Sequence, residues 1–213
     1  MGRRRPRVVV VSAQVRVPPA RLARWVQNFG ERHDGATLGV THGRLTGVAG
    51  DGSTFEASLP FDTSYDGPAE VDAFLARAEP PGEWGVLLVR KGGFAVARMR
   101  GGTMAEHKIG QRHVQGRTKA GGQSQQRFAR RRDNQARQAY EAAADHAARI
   151  LGPGGLLLVT GGDHSAVDDV LADPRLGRVT VVGPWLAVPD PRRAVLDAAV
   201  ADAAAIGVEV VNA

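Results

Sequence analysis

The stretch WGVLLVRKGGFAVARMRGGTMAEHKI, residues 84–109, decides the fold class. Residues 84–90 and 94–100 are apolar runs of strand length, and Lys91-Gly92-Gly93 between them is turn chemistry. Gly101-Gly102 turns the chain again, into a third run over residues 103–109. Links this short join antiparallel neighbours, since a parallel crossover needs a dozen residues or more, so the three runs form a meander. Downstream the period changes. Ala136, Tyr140, Ala143, Ala147 and Leu151 lie on one helical stripe, which predicts a long helix from Ser124 to about Leu151. Gly152-Pro153-Gly154-Gly155 stops that helix. A strand (156–160), a helix (166–171), a strand (179–182), a helix (191–206) and a short last strand (208–211) complete the order. An antiparallel meander leading into alternating helices and strands reads as an α/β fold: a mixed sheet with flanking helices.

Upstream, Pro80-Pro81-Gly82 is the strongest break in the chain and separates a small α+β N-terminal domain (1–80) from a second domain (81–213). Val8, Val9, Val10 and Val11 begin a strand that alternates on through Val15 and Val17. Pro18-Pro19 opens a helix with Leu22, Trp25, Val26 and Phe29 at helical spacing. Residues 38–48 and 54–59 read as two strands joined by Ala49-Gly50-Asp51-Gly52, and residues 70–78 as a short helix.

The net charge of the 213-residue chain is +6, and its placement says more than its sum. Residues 108–137 hold nine Lys/Arg and a single acid, Asp133, a surplus of eight, while the rest of the chain has 19 basic and 21 acidic residues. A solvated helix face mixes signs and offers Glu–Lys pairs, whereas an unmixed block on a neutral remainder is a footprint for phosphate backbones. Residues 110–123 within it carry no periodic apolar pattern, so they read as a long, basic, glycine-containing loop of the kind that is usually functional.

The centre of this block runs Gly116-Arg117-Thr118-Lys119-Ala120-Gly121-Gly122-Gln123-Ser124-Gln125-Gln126-Arg127-Phe128-Ala129-Arg130-Arg131-Arg132. It resembles the GGQ loop and following helix of the central domain of eukaryotic and archaeal class-I release factors, in which basic residues, Gly-Gly-Gln-Ser and then Arg-Phe-Ala-Arg stand at the same spacing. In element order the resemblance runs from Trp84 to the C-terminus, and it implies an RNase H-like fold for residues 81–213. Residues 1–80 carry no codon-reading motif and no GTPase-binding domain follows, so the chain is most similar to the actinobacterial release-factor-like peptidyl-tRNA hydrolases, relatives of the Vms-type factors. That resemblance implies a codon-independent peptidyl-tRNA hydrolase that frees nascent chains from stalled ribosomes or 50S subunits. Gly121, Gly122 and Gln123 are then the catalytic residues, and Arg117, Lys119, Arg127, Arg130, Arg131 and Arg132 bind RNA.

The chemistry suits those residue types. An aminoacyl ester is intrinsically reactive, so a catalyst mainly places a water and stabilises the oxyanion and the departing ribose oxygen. Glycines allow close backbone approach to the tRNA end. By resemblance, the Gln123 backbone N–H donates to the transition state and its side-chain amide positions water. Phe128 reads as a packing anchor.

Other function classes find less support. There is no cysteine, which excludes disulfides and thiolate chemistry. The basic N-terminus precedes only four valines, too short for a signal peptide or a membrane span. His33, His42, His107, His113, His146 and His164 show no metal spacing; His107 and His113 read as loop residues that touch RNA, and Asp163 as an N-cap. The expectation is therefore a cytoplasmic monomer that needs no metal or other cofactor. Its partners would be large-subunit rRNA and P-site peptidyl-tRNA, with no membrane and no DNA. Three alternatives stay open: metal-independent cleavage near the tRNA 3′ end, a non-catalytic ribosome- or RNA-binding protein, and an RNase H-type nuclease. The last would need clustered carboxylates that residues 84–90 lack.

Overall fold

A computed structural model describes residues 11–111 and 124–213, and the side chains of residues 12–111 and 138–213. The chain divides into two compact units, one formed by Met1–Glu79 with Ala204–Ala213 and one by Pro80–Ala203.

The first unit contains β1 (Val11–Val17), α1 (Pro19–Arg32), β2 (Ala36–Thr41), β3 (Arg44–Ala49), β4 (Thr54–Ser58), α2 (Val71–Leu75) and β10 (Ile206–Asn212). Its sheet is antiparallel throughout, in the order β1-β10-β4-β3-β2. Pro19 stands at the first helical position of α1, where its missing N–H is not needed and its φ is already helical. Leu22, Val26 and Phe29 then share one face of the helix and pack with Leu45, Phe55, Ala57, Phe74 and Val208. Residues 38–48, read from the sequence as one strand, are two. His42 (φ 51) and Gly43 (φ 75) form a two-residue turn with both φ angles positive, which folds β2 onto β3. His-Gly lacks the Asn-Gly or Asp-Gly signature by which such turns are recognised.

A second difference concerns the last strand, assigned from the sequence to the second domain (81–213). β10 instead lies inside the first sheet, pairing Val208 with Val15 of β1 on one side and with Ala57 of β4 on the other. Ile206 and Val208 are buried in the first unit's core. An apolar run carries no record of its partner, and its neighbours here are about 150 to 190 positions away in sequence, against the usual tendency of consecutive strands to pair.

The second unit contains β5 (Glu83–Arg90), β6 (Gly93–Arg100), β7 (Thr103–Gln111), α3 (Ser124–Leu151), β8 (Leu157–Gly162), α4 (His164–Leu171), a 3₁₀ turn (Pro174–Leu176), β9 (Thr180–Leu186) and α5 (Arg193–Ala203). Its sheet runs β7-β6-β5-β8-β9, antiparallel through the meander and parallel from β5 to β8 to β9. This is an α/β unit with the mixed sheet and flanking helices expected from the sequence. Both faces of the central strands are covered. Leu87, Val89, Phe94, Val96 and Leu158 pack against Ala143, Ala147, Ile150 and Leu151 of α3 and Val167 and Val170 of α4. The alternate residues Val86, Leu88, Ala95 and Ala97 are also buried, and α5 packs against β5, β6 and β9. No described helix is long and apolar enough to cross a membrane.

Candidate functional site

Strand register places four strand ends along one rim of the second sheet. Gly110 of β7 lies opposite Phe94 of β6, Phe94 opposite Val89 of β5, and Val89 beside Gly162 of β8. β7 ends at Gln111, so residues 112–123 set out from this rim. The chain returns as α3, whose last residue, Leu151, lies against the backbone of Gly85 at the opposite end of β5. Gly152, with φ 74, ends the helix and donates its N–H to Ala148 O at 3.1 Å.

Lengths then fix what α3 can do. Eight-residue strands such as β5 and β6 span roughly 26 Å. The 28 residues of α3 span roughly 42 Å. A helix lying along the sheet with its C-terminus at the far end therefore overshoots the rim by roughly 16 Å, about three turns. Within the described side chains of α3, those that join the core lie between Tyr140 and Leu151. Polar ties secure the same half. Arg149 pairs with Glu106 of β7, Asp145 with Arg175 at 2.6 Å, and His146 stacks on Phe94 with ring centroids 5.6 Å apart. The first turn of α3 carries no acid, which leaves the positive end of the helix dipole uncompensated by its own residues.

Arg90 braces the rim itself. Its Nη1 donates to Val188 O at 2.7 Å in the connection between β9 and α5. The same guanidinium lies 3.5 Å from Asp163 Oδ1 and 3.8 Å from Asp190 Oδ1. Asp163 takes the N-cap position of α4, as read from the sequence, but its side chain makes no capping hydrogen bond; its backbone N–H donates to Val89 O at 2.8 Å. Gly162, with φ 104, brings its backbone so close to Val89 that an added Cβ would meet the Val89 carbonyl. Next to it, His164 stacks flat on Trp185, with centroids 3.6 Å apart and 10° between planes. Burial, followed by the charges of Asp163 and Asp169, pushes the Tyr140 hydroxyl above its ordinary value.

Of the residues singled out from the sequence, Gly121, Gly122, Gln123, Arg117 and Lys119 lie outside the described residues, as does His113. Arg127, Arg130, Arg131 and Arg132 belong to the first three turns of α3, and their side chains, like that of Phe128, lie outside those described. His107 is not a loop residue. It lies within β7, opposite Ala97, and its Nε2 is 3.1 Å from Arg193 Nη1 of α5. The strand continues through it because Ile109 and Gly110 still pair with β6. Among the described residues no group of three or more His, Asp or Glu converges on a common point. The one acid at the start of β5, Glu83, is held by Arg98 at 2.7 Å, which lowers its carboxyl below the usual range.

Sequence reasoning missed Arg90 and the His164–Trp185 pair. Their partners are 73 or more positions away for Arg90 and 21 for His164, and neither residue belongs to a local motif. α3 is thus a post whose C-terminal half is anchored on the sheet, and the basic, glycine-bearing stretch of the sequence leads into its first residue.

A sequence model of the acVLRF1 family, described as Actinobacteria/chloroflexi VLRF1 release factor, matches residues 82–209. The match takes in every strand and helix of the second unit and the whole of the basic segment. No curated protein matches the chain.

Proposed function

The chain belongs to the Actinobacteria/chloroflexi VLRF1 release factor family, and from that premise we propose that it frees nascent chains from stalled ribosomes or split large subunits without reading a codon, by hydrolysing the ester of peptidyl-tRNA. One observation carries this reading: Gly121-Gly122-Gln123 immediately precedes the first residue of α3, at the end of the helix that overshoots the sheet.

In this reading the anchored half of α3 and the Arg90-braced rim hold the post, and the overshoot carries the tripeptide toward the 3′ end of a bound tRNA. Gly121 and Gly122 admit close approach of backbone to the ester. The Gln123 N–H donates to the developing oxyanion, and its side-chain amide orients the attacking water. The water oxygen bonds to the ester carbonyl carbon and the bond to the ribose oxygen breaks; of the water's two protons one goes to the ribose oxygen and the other to solvent, and the peptide leaves as a carboxylate. Arg117, Lys119, Arg127, Arg130, Arg131 and Arg132 supply charge to the phosphates of tRNA and large-subunit rRNA.

The test is release from ribosomes that carry peptidyl-tRNA and no stop codon, with the 3′ end of the tRNA product mapped. An intact CCA end together with a free peptide carboxylate supports ester hydrolysis. A shortened tRNA assigns the chemistry to RNA cleavage instead, and binding without release makes the protein a ribosome-binding factor only.

A further inference from the structure

The family match begins at residue 82, so nothing in it speaks for the 11–79 part of the first unit. The described part of that unit is acidic, with ten Asp/Glu and six Arg among residues 11–79 and 204–213. Its cations are not spread evenly. Arg21, Arg24 and Arg32 all lie on α1, and with Asn28 they recur at intervals of three, four and four residues. At 100° per residue these four side chains fall within one flank of the helix, away from the face of Leu22, Val26 and Phe29 that enters the core.

Arg21, Arg24 and Arg32 are exposed. Neither the His33–Asp51 nor the Arg44–Glu56 ion pair of this unit uses them. The nearby acid on the helix, Glu31, accepts from Gln27 at 2.9 Å. Local helix energetics do not account for the pattern either. The first turn of α1 carries Arg21 and no acid, whereas the dipole favours acids at that end. A face kept for solubility would mix signs in i, i+4 pairs. Arginines and an amide spread over twelve residues, about 16 Å of helix, suit a run of phosphates better than a single anion.

We propose that this flank of α1, with Arg21, Arg24, Asn28 and Arg32, is an RNA-backbone contact of the first unit, separate from the basic segment at residues 108–137. That RNA is the partner is argued from charge; that the RNA is ribosomal rests on the function proposed above.

The test uses the full-length protein with Arg21→Gln, Arg24→Gln and Arg32→Gln combined, and the matching triple Lys variant as a charge-preserving control. Binding to a labelled 20-base-pair RNA duplex and to large ribosomal subunits is titrated across salt concentrations. The Gln variant should bind both at least tenfold more weakly, with the slope of log K against log salt reduced by about two to three, since each phosphate contact contributes about 0.9 on duplex DNA. The Lys variant should keep most of the slope, and both should melt at or above the wild-type temperature. Unchanged affinity and slope for the Gln variant would overturn the proposal and leave the flank as solvated surface. Weaker subunit binding with unchanged duplex binding would also overturn it, in favour of a protein contact. Because duplex binding is read without any release step, failure of wild-type protein to release peptide would sink the proposed activity and leave this result standing.

Discussion

Asp173 and Arg175 show how single residues hold the base of the post. Arg175 Nε and Nη2 donate to the two carboxylate oxygens of Asp173 at 2.9 and 2.6 Å, its backbone N–H donates to Oδ1 at 2.9 Å, and Nη2 also reaches Asp145 of α3 at 2.6 Å. The side-chain hydrogen bond from Arg175, reinforced by its backbone N–H, pulls the Asp173 carboxyl from its ordinary 3.8 to about 2. A folded-state value below the unfolded one means the pair stabilises the fold fully above about pH 4 and loses that contribution as pH falls toward 2. Asp173→Asn should therefore lower the melting temperature at pH 6 and leave it unchanged near pH 2. Equal losses at both pH values would show that the substitution acts through packing instead. Asp173 is half-buried but its partner Arg175 is exposed, so salt should shrink the pH 6 difference. At this scale the sequence was least informative. Asp173 and Arg175 are two positions apart and could be paired by inspection, but Arg90 meets partners 73, 98 and 100 positions away, and only the folded sheet brings them together.

Among the elements, α3 was legible and β2–β3 was not, for opposite reasons. The α3 stripe of Ala143, Ala147 and Leu151 repeats at helical spacing and ends in a glycine-proline stop, so period and punctuation agree. The β2–β3 hairpin turns on His42-Gly43, and a histidine with positive φ has no reliable sequence mark. The meander of β5, β6 and β7 was legible because Gly-rich turns interrupt apolar runs, although β7 continues two residues beyond the predicted end through its pairing with β6. The functional prediction at this scale concerns the first turns of α3. Reversing charge at Arg130, Arg131 and Arg132 to Glu should weaken ribosome binding and flatten its salt dependence by about three units of slope, on the reading that each arginine meets one phosphate. Those positions precede the packed half of α3, so the thermal transition should stay within a few degrees of wild type. A salt slope equal to wild type would remove these arginines from the interface.

For the whole molecule, the unexpected feature is that the chain closes its first unit with its last strand. β10 lies between β1 and β4, so removing residues 204–213 takes out an interior strand of a five-stranded sheet and uncovers Phe55, Ala57 and Val17. Truncation after Ala203 should abolish amide-exchange protection in β1 and β4 while β5, β6 and β8 remain protected; retained protection in β1 would contradict the sheet order. This arrangement was illegible in the sequence because the short alternating run Val208-Glu209-Val210-Val211 fits either sheet, and only the pairing of Val208 with Val15 and Ala57 decides between them. The basic segment and its tripeptide, by contrast, stand out in charge and motif alone but lie largely outside the described residues, whereas the helix that follows them was expected from Ser124 to about Leu151 and is found there. The proposed activity depends most on that tripeptide. The direct test is single-turnover release of peptide from large subunits carrying peptidyl-tRNA, at saturating protein, comparing wild type with Gln123→Ala and Gly122→Ala. The expected result is release by wild type and a loss of about a hundredfold or more in rate for both variants, since Gln123→Ala removes the amide that orients the water and Gly122→Ala misplaces the Gln123 N–H that serves as oxyanion donor, with subunit binding within about twofold. Release by Gln123→Ala and Gly122→Ala at the wild-type rate would contradict it.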